Sequence, residues 1–187
     1  MRVVETSFSS LLLIEPQCFH DERGFFLESF HVERYRAHGI TDEFVQDNHS
    51  RSRKNVLRGL HFQIKQPHAQ IVTVIRGRIF DVAVDLRHKS PSFGRWYGVE
   101  LTDEGPRQLY MGPGFAHGFC VLSESADLHY RVSRLYDQTD EGGLIWHDAD
   151  LGIRWPVTNP IVSARDSAHP SLRQLDLTRL PHVGAPS

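Results

Sequence analysis

The pattern of hydrophobic and polar positions repeats most often every two residues, which is the spacing of a β-strand that buries one face. Two β-branched runs, 71–75 and 79–86, are separated by Arg76-Gly77-Arg78, and this arrangement predicts a hairpin. The same criteria predict further strands at 56–63, 96–101, 107–111, 118–122, 128–133 and 144–146. Gly, Pro, Asp and Ser cluster between most of these runs, as turns require.

Helical periodicity is scarce, with one candidate helix at 32–38 and a short turn or helix at 171–177. Many short strands at a spacing of about 8–12 residues indicate a sandwich or a small barrel. A jelly-roll barrel fits, because its interior can hold one ligand. No repeat, linker or low-complexity run divides the chain. We therefore expect one all-β jelly-roll domain over residues 1–187, with a few short peripheral helices and a frayed tail at 181–187.

Composition narrows the range of partners. The formal net charge is -2, from 21 basic and 23 acidic residues, so the chain lacks the basic field that nucleic-acid binding requires. Cys18 and Cys120 are far apart and form no CxxC motif, which is typical of reduced thiols in a cytosolic protein. The first residues lack the features of a signal peptide, and no run approaches the roughly 18 apolar residues of a membrane helix. We expect a soluble cytoplasmic protein with no membrane partner.

The segment 56–63 combines Arg58 and His61 with an apolar run that should be buried. Burying a charge or a titratable ring costs several kcal/mol unless partners or function compensate. Three residues apart, the two side chains would face opposite sides of a regular strand, but Gly59 between them allows a bulge that realigns them. This arrangement indicates an anionic substrate that loses a proton; a structural pair at a strand end is the alternative.

Other polar groups are expected to point into the barrel or to lie at its mouth: Arg23, Gln46, Asp47, Asn48, His117, Tyr130, Tyr136 and Asp166. The chain has no GxxxxGK[ST] or GxGxxG motif, and this set contains no obvious Ser or Cys nucleophile beside a base. Its bases, phenols and guanidiniums suit proton transfer on a ligand that carries phosphate and a flat ring. A metal site is the rival interpretation, given 12 His, but His61-Phe62-Gln63 lacks the HxH pair of metal-binding barrels. We therefore expect no metal.

Seven stretches, in order and at matching spacing between about residues 3 and 180, resemble the dTDP-4-dehydrorhamnose 3,5-epimerase family: Arg23-Gly24-Phe25-Phe26, 44–50, 56–63, 77–85, 90–94, 114–119 and 148–155. The resemblance implies a cupin-like jelly roll without metal or cofactor, and a homodimer that exchanges N-terminal strands. It also implies a nucleotide-linked substrate, dTDP-4-dehydro-6-deoxy-D-glucose, which is converted to dTDP-4-dehydro-L-rhamnose.

The resemblance assigns roles to individual residues. His61 resembles the catalytic base, Asp166 the carboxylate that orients it, and Tyr130 the general acid. Arg23 resembles the ligand of the diphosphate. The other matching positions are expected around the nucleotide and the sugar: Phe25, Glu28, Gln46, Asn48, Arg58, His117, Tyr136, Glu141 and Arg165.

One position departs from the family. Gln70 stands where the family usually carries a Lys that polarises the ketone oxygen, and Lys65 and His68 are the nearby candidate cations. A charge-assisted hydrogen bond is roughly twice as strong as the neutral one an amide makes. Other functions therefore stay open: an epimerase of C3 or C5 only, an epimerase of another nucleotide sugar, a sugar-nucleotide 3,4-ketoisomerase, a non-catalytic nucleotide-sugar binding module, and a metal-dependent oxygenase.

Overall fold

The computed structural model describes residues 1–180, whose regular structure is almost entirely β. The strands in chain order are β1 (Arg2–Glu5), β2 (Leu11–Glu15), β3 (Cys18–Asp21), β4 (Gly24–Leu27), β5 (Gln46–Arg53), β6 (Leu57–Gln63), β7 (Gln70–Arg76), β8 (Arg78–Asp85), β9 (Trp96–Thr102), β10 (Gln108–Met111), β11 (Phe115–Val121), β12 (Ser125–Val132) and β13 (Glu141–Gly143). The helices are α1 (Val32–Arg36) and α2 (Ala164–Ser167), with 3-10 turns at Gln138–Asp140, Leu172–Gln174 and Leu177–Arg179.

Two antiparallel sheets form the barrel. The six-stranded sheet has the order β1-β2-β10-β7-β12-β5, and the five-stranded sheet has the order β13-β6-β11-β8-β9. Strands β3 and β4 form a separate hairpin that pairs with neither sheet within residues 1–180. The all-β barrel predicted from the sequence is confirmed. Among the described residues, no helix has both the length and the apolar character that a membrane span requires.

The core has three layers, because both sheets are covered on their outer faces. Inward side chains of the two sheets, such as Val72 on β7 and Ala83 on β8, meet in the central layer. Val82 and Val84 point the other way and pack under residues 144–180, which we call the C-terminal segment. Strand β8 is therefore buried on both faces, which explains its continuous apolar run. Full burial of each Val or Leu side chain contributes roughly 1.5–3 kcal/mol.

The hairpin predicted at Arg76-Gly77-Arg78 is wrong. Strand β7 belongs to the six-stranded sheet and β8 to the five-stranded sheet, so this turn carries the chain from one sheet to the other. Gly77 has a φ of +86°, and a Cβ there would lie 2.2 Å from the carbonyl oxygen of Ser125. The corner therefore requires glycine, as the predicted turn would have done.

Two other predictions differ in detail. The strand expected at 144–146 lies three residues earlier, at β13, and Leu144 only extends its ladder by two backbone hydrogen bonds to Leu60. The turn or helix expected at 171–177 is divided into two 3-10 turns. The tail at 181–187 lies outside the described residues.

Candidate active site

A cavity of about 330 Å³ opens at one end of the barrel. It continues the inward face of the core. Tyr130 lies two residues after the buried Leu128 on β12, and Gln70 lies two residues before Val72 on β7, so each faces the same way as its buried neighbour. Ten of the fourteen predicted site residues line it: Gln46, Asn48, Arg58, His61, Gln70, His117, Tyr130, Tyr136, Glu141 and Arg165. His68, which was named as a candidate cation near Gln70, also lines it. The remaining lining residues were not predicted as part of the site: Ser50, Phe62, Gln63, Gly118, Phe119 and Val132.

A β-bulge on β6 directs two key side chains into this cavity. Gly59 and Leu60 together face the single residue Gly118 on β11, so the strand gains one residue. Gly59 has a φ of +117°, and a Cβ there would lie 2.5 Å from the backbone of Gly118. The extra residue brings Arg58 and His61 to the same cavity, which is the realignment expected from the sequence.

His61 is held by a carboxylate from the far end of the chain. Its Nε2 lies 2.9 Å from Oδ1 of Asp166, and the other Asp166 oxygen accepts the backbone N–H of Gly59 at 3.1 Å. Ser163 caps α2 and fixes the Asp166 backbone. Burial alone would raise the pKa of Asp166, but the hydrogen bonds from His61 and Gly59 outweigh it and hold that pKa far below its usual range. With a carboxylate on Nε2, the other ring nitrogen of His61, Nδ1, makes no hydrogen bond within the described residues and lies 3.7 Å from Oε1 of Glu141.

Tyr130 lines the same cavity from β12. Burial raises the pKa of its hydroxyl, and the nearby Arg58 guanidinium opposes that shift only in part. The phenol is therefore protonated at neutral pH and is able to donate a proton. Arg58 is itself oriented by a hydrogen bond from its Nε to Oγ of Ser52, at 3.0 Å.

A second histidine–carboxylate pair lies beside the first. Nε2 of His117 lies 2.7 Å from Oδ1 of Asp81, whose side chain is fully buried on β8. The other Asp81 oxygen has no hydrogen-bond partner within residues 1–180. Asp81 was missed as a site residue, although a carboxylate inside the apolar run 79–86 was a visible signal.

The mouth of the cavity is formed by a network of polar side chains. Arg165 is ion-paired with Glu141 at 2.5 Å, and the Tyr136 hydroxyl donates to the same carboxylate at 3.0 Å. The backbone N–H of Tyr136 donates to Gln46, whose amide nitrogen donates to Asn48. Tyr136 remains 50% exposed as a residue and offers an aromatic side chain at the entrance.

Neither candidate cation near Gln70 places a positive charge in the cavity. His68 does line it, but burial, assisted by the neighbouring His117, lowers the pKa of His68 to about 4. The ring is therefore neutral at physiological pH, so His68 lacks the charge that a candidate cation beside Gln70 would need. Lys65 is exposed and lies outside the set of lining residues.

Three predicted ligand residues lie elsewhere. Arg23 and Phe25 belong to the exposed β3–β4 hairpin, where Arg23 pairs with Asp21 at 2.5 Å. Glu28 follows the hairpin and pairs with Arg34. None of the three lines the cavity of its own chain, so their ligand roles stay predictions.

One cluster within residues 1–180 has the composition of a metal site. Ligand atoms of His61, Asp166 and His169 lie within 4.8 Å of one another, and two imidazoles with a carboxylate suit several transition metals. The Asp166 oxygen already bonds to His61, however, and lies 3.7 Å from the guanidinium of Arg165. That positive charge opposes a bound cation. The expectation of a metal-free site stays a prediction.

Comparison with known proteins places this geometry in a family. The family model for dTDP-4-dehydrorhamnose 3,5-epimerase matches residues 5–174. The chain belongs to this family of carbohydrate epimerases. A dTDP-4-dehydrorhamnose 3,5-epimerase from Shigella flexneri is 50% identical over 169 residues, which cover 89% of this chain and 93% of the relative. A dTDP-4-dehydrorhamnose 3-epimerase from Streptomyces niveus is 40% identical over 168 residues, covering 89% and 81%.

A solved structure supports the same assignment. The crystal structure of dTDP-6-deoxy-D-glucose-3,5-epimerase from Legionella pneumophila, in complex with dTDP-4-keto-L-rhamnose, superposes with a TM-score of 0.95. It is 46% identical, and the alignment covers 98% of this chain and 99% of that one. The cupin-like jelly roll expected from the sequence is confirmed, as is the family resemblance.

Proposed function

We propose that this chain converts dTDP-4-dehydro-6-deoxy-D-glucose to dTDP-4-dehydro-L-rhamnose by inverting C3 and C5 of the sugar. The observation that carries the proposal is the contact between His61 and Asp166. It joins residues 105 positions apart, at 2.9 Å, and its histidine lines the cavity of an epimerase-family chain. A cytoplasmic location, expected from the sequence, is part of the same proposal.

His61 acts as the base. A hydrogen on the carbon next to a ketone is weakly acidic, and its removal leaves negative charge on the carbonyl oxygen. Nδ1 of His61 takes this proton, so that the C–H bond breaks, an N–H bond forms and the electron pair moves to the oxygen. Asp166 stabilises the imidazolium that results, because its carboxylate already bonds to Nε2.

Tyr130 completes the inversion from the other face of the sugar ring. Its hydroxyl gives a proton to the carbon, the carbonyl re-forms, and the configuration of that carbon is reversed. The raised pKa of this phenol keeps it protonated before the reaction. His61 and Tyr130 then exchange protons with water, and the sequence repeats at the second carbon. No oxidant or reductant is consumed, because the same number of C–H bonds forms and breaks.

We propose that the nucleotide is bound with the help of a second copy of the chain. Strand β1 pairs with β2, and β2 pairs with β10 of the same chain, so exchange would involve the β3–β4 hairpin. That hairpin exposes Phe19, Phe25 and Phe26 by 54%, 60% and 70%, an unusual apolar surface for a monomer. In a homodimer, Arg23 and Phe25 would reach the partner's cavity, where Arg23 binds the diphosphate. Tyr136 is the proposed stacking platform for the base.

Proton exchange in heavy water tests the chemistry and its position together. Incubation with dTDP-4-dehydro-6-deoxy-D-glucose is expected to place deuterium at C3 and C5, as NMR can measure, and His61→Ala is expected to abolish exchange at both carbons. The proposal would be eliminated if the wild-type chain left C3, C5 or both without deuterium. A 3-keto product would instead identify a ketoisomerase.

An epimerase that inverts one carbon is the second candidate function. It is favoured by the neutral Gln70 in the cavity and by the 40% identity to the Streptomyces niveus 3-epimerase. Deuterium at C3 alone, with C5 unlabelled after prolonged incubation, would support it. A non-catalytic binding module would show thermal protection by dTDP together with no effect of His61→Ala on any biochemical readout.

A further inference from the structure

Several of the charged or titratable groups that line the cavity are already engaged by neighbouring residues. The guanidinium of Arg165 is paired with Glu141, and Arg58 donates through Nε to Ser52. His117 is bound to the buried carboxylate of Asp81. A reaction that removes a proton beside a ketone needs a donor aimed at the oxygen. At the start of β7, the side chain that lines the cavity is a neutral amide, that of Gln70.

Gln70 is held there by the ring of His68. The amide nitrogen Nε2 of Gln70 lies 2.9 Å from Nε2 of His68, and both residues line the cavity. An amide nitrogen only donates, so Nε2 of His68 accepts and the ring proton lies on Nδ1. The amide nitrogen carries two hydrogens, and His68 takes one of them. The second hydrogen is left for the cavity.

We propose that Gln70 donates this second N–H to the carbonyl oxygen of the substrate, and that His68 is the positioning residue that holds the amide in the donating orientation. The inference rests on the proposed function. It assigns the electrophilic role in this active site to a neutral pair instead of a cation. Gln70 is then a catalytic residue, because its amide touches the reacting ketone.

The surroundings of His68 keep its ring neutral, as the hydrogen bond from the Gln70 amide requires. A protonated imidazole has no lone pair on Nε2 and could not accept from the amide. Burial and the neighbouring His117 lower the pKa of His68 to about 4, so the ring keeps its acceptor at neutral pH. Nδ1 of His68 is buried and has no hydrogen-bond partner within residues 1–180. Gln70 is therefore the one hydrogen-bond partner of this ring in the part of the chain that the structure describes.

Variants of Gln70 test the donor role through kcat and KM for dTDP-4-dehydro-6-deoxy-D-glucose. Q70A and Q70E remove the donor, and kcat is expected to fall about 100-fold with KM changed by less than about threefold. Q70K keeps a donor and is expected to stay at least tenfold more active than Q70A. Affinity for dTDP, which lacks the keto sugar, should be unchanged in all three variants and shows that each one is folded.

Variants of His68 test the positioning role separately. H68Q keeps a polar atom near the Nε2 position that can accept, and H68L does not. We expect kcat to fall about tenfold in H68L and to be largely restored in H68Q, with KM unchanged in both. H38Q, at an exposed histidine, is the matched control and should match the wild type. Equal losses in H68Q and H68L, or no loss in H68L, would overturn the positioning role.

The activity of the wild type distinguishes a failure of the Gln70 inference from a failure of the proposed function. If the wild type epimerises the keto sugar and Q70A keeps its kcat, the inference is wrong and the proposed function stands. If the wild type neither epimerises the sugar nor exchanges its protons, the proposed function fails and the inference fails with it.

Discussion

Asp166→Asn isolates the charge that supports the proposed base. At the observed 2.9 Å between Nε2 of His61 and Oδ1 of Asp166, a full ion pair is worth about 6 kcal/mol at an effective dielectric constant of about 20. Asparagine keeps the shape and one neutral hydrogen bond, which returns about 1.5 kcal/mol. The net loss of about 4 kcal/mol in the transition state corresponds to a fall in kcat of about a thousandfold.

The assay is the steady-state rate of epimerisation, together with the rate of deuterium incorporation at C3. The amide oxygen of Asn can still accept from the N–H of Gly59, so the thermal unfolding temperature should fall by only a few degrees. Asp150→Asn is the matched control, because Asp150 is an exposed carboxylate paired with Arg173 at 2.6 Å. A D166N variant whose kcat stays within tenfold of the wild type would refute the role assigned to the charge.

Three further predictions concern the fold and the assembly. Gly59→Ala adds a Cβ 2.5 Å from the neighbouring backbone at a φ of +117°, so urea unfolding should show a loss of at least about 3 kcal/mol; a loss below about 1 kcal/mol would contradict the bulge. Burial alone would raise the pKa of Asp85, but hydrogen bonds, among them those from Arg87, give a net lowering of that pKa. The ionised Asp85 carboxylate therefore stabilises the fold fully above about pH 4, and this stabilisation declines as the pH falls toward the folded-state pKa. The urea midpoint should therefore fall between pH 6 and pH 3, and fall less in Asp85→Asn; equal falls would contradict the assignment. Mixing inactive Arg23→Ala and His61→Ala chains, after denaturation and joint refolding, should restore about a quarter of wild-type activity if each site uses both chains of a dimer; no recovery would contradict the exchange.

Most strands that the sequence predicted carry buried apolar side chains, although β2, which buries Leu11, Leu13 and Ile14, was not among them. Strand β5 was missed because its sequence is QDNHSRSR, and its partly buried positions alternate with exposed ones without an apolar signal. Gln46, Asn48 and Ser50 on its inward face line the cavity, and Ser52 binds Arg58. A strand that forms the wall of a polar site thus has no hydrophobic period to detect.

The pairing of the two sheets was also beyond the sequence pattern. The turn at Gly77 has the composition of a hairpin, yet it joins different sheets. Whether two consecutive strands pair is decided by what each one packs against, and this depends on residues far away in the chain. For the same reason Asp81 was missed, because its partner His117 lies 36 positions later on the neighbouring strand β11.

The site was predicted from two sources, the local sequence of 56–63 and the resemblance to the family. The composition of 56–63 indicated that Arg58 and His61 would share a face through a bulge at Gly59, and the register of β6 and β11 confirms this. The contact between His61 and Asp166 was expected only from the family resemblance. A separation of 105 residues gives no local signal, since loop closure depends only weakly on chain length and favours no particular partner.

The bulge on β6 links the fold to the proposed chemistry. A regular strand would turn Arg58 toward the outer layer, where Leu60 and Phe62 pack under the C-terminal segment. The extra residue instead directs Arg58 to the cavity with His61, and it aims the N–H of Gly59 at the same carboxylate that holds the His61 ring. One local irregularity thus aligns a cation, the proposed base and the carboxylate that supports it. Because all three depend on it, a change at Gly59 should affect ligand binding and proton transfer together, whereas a change at Asp166 should affect proton transfer alone.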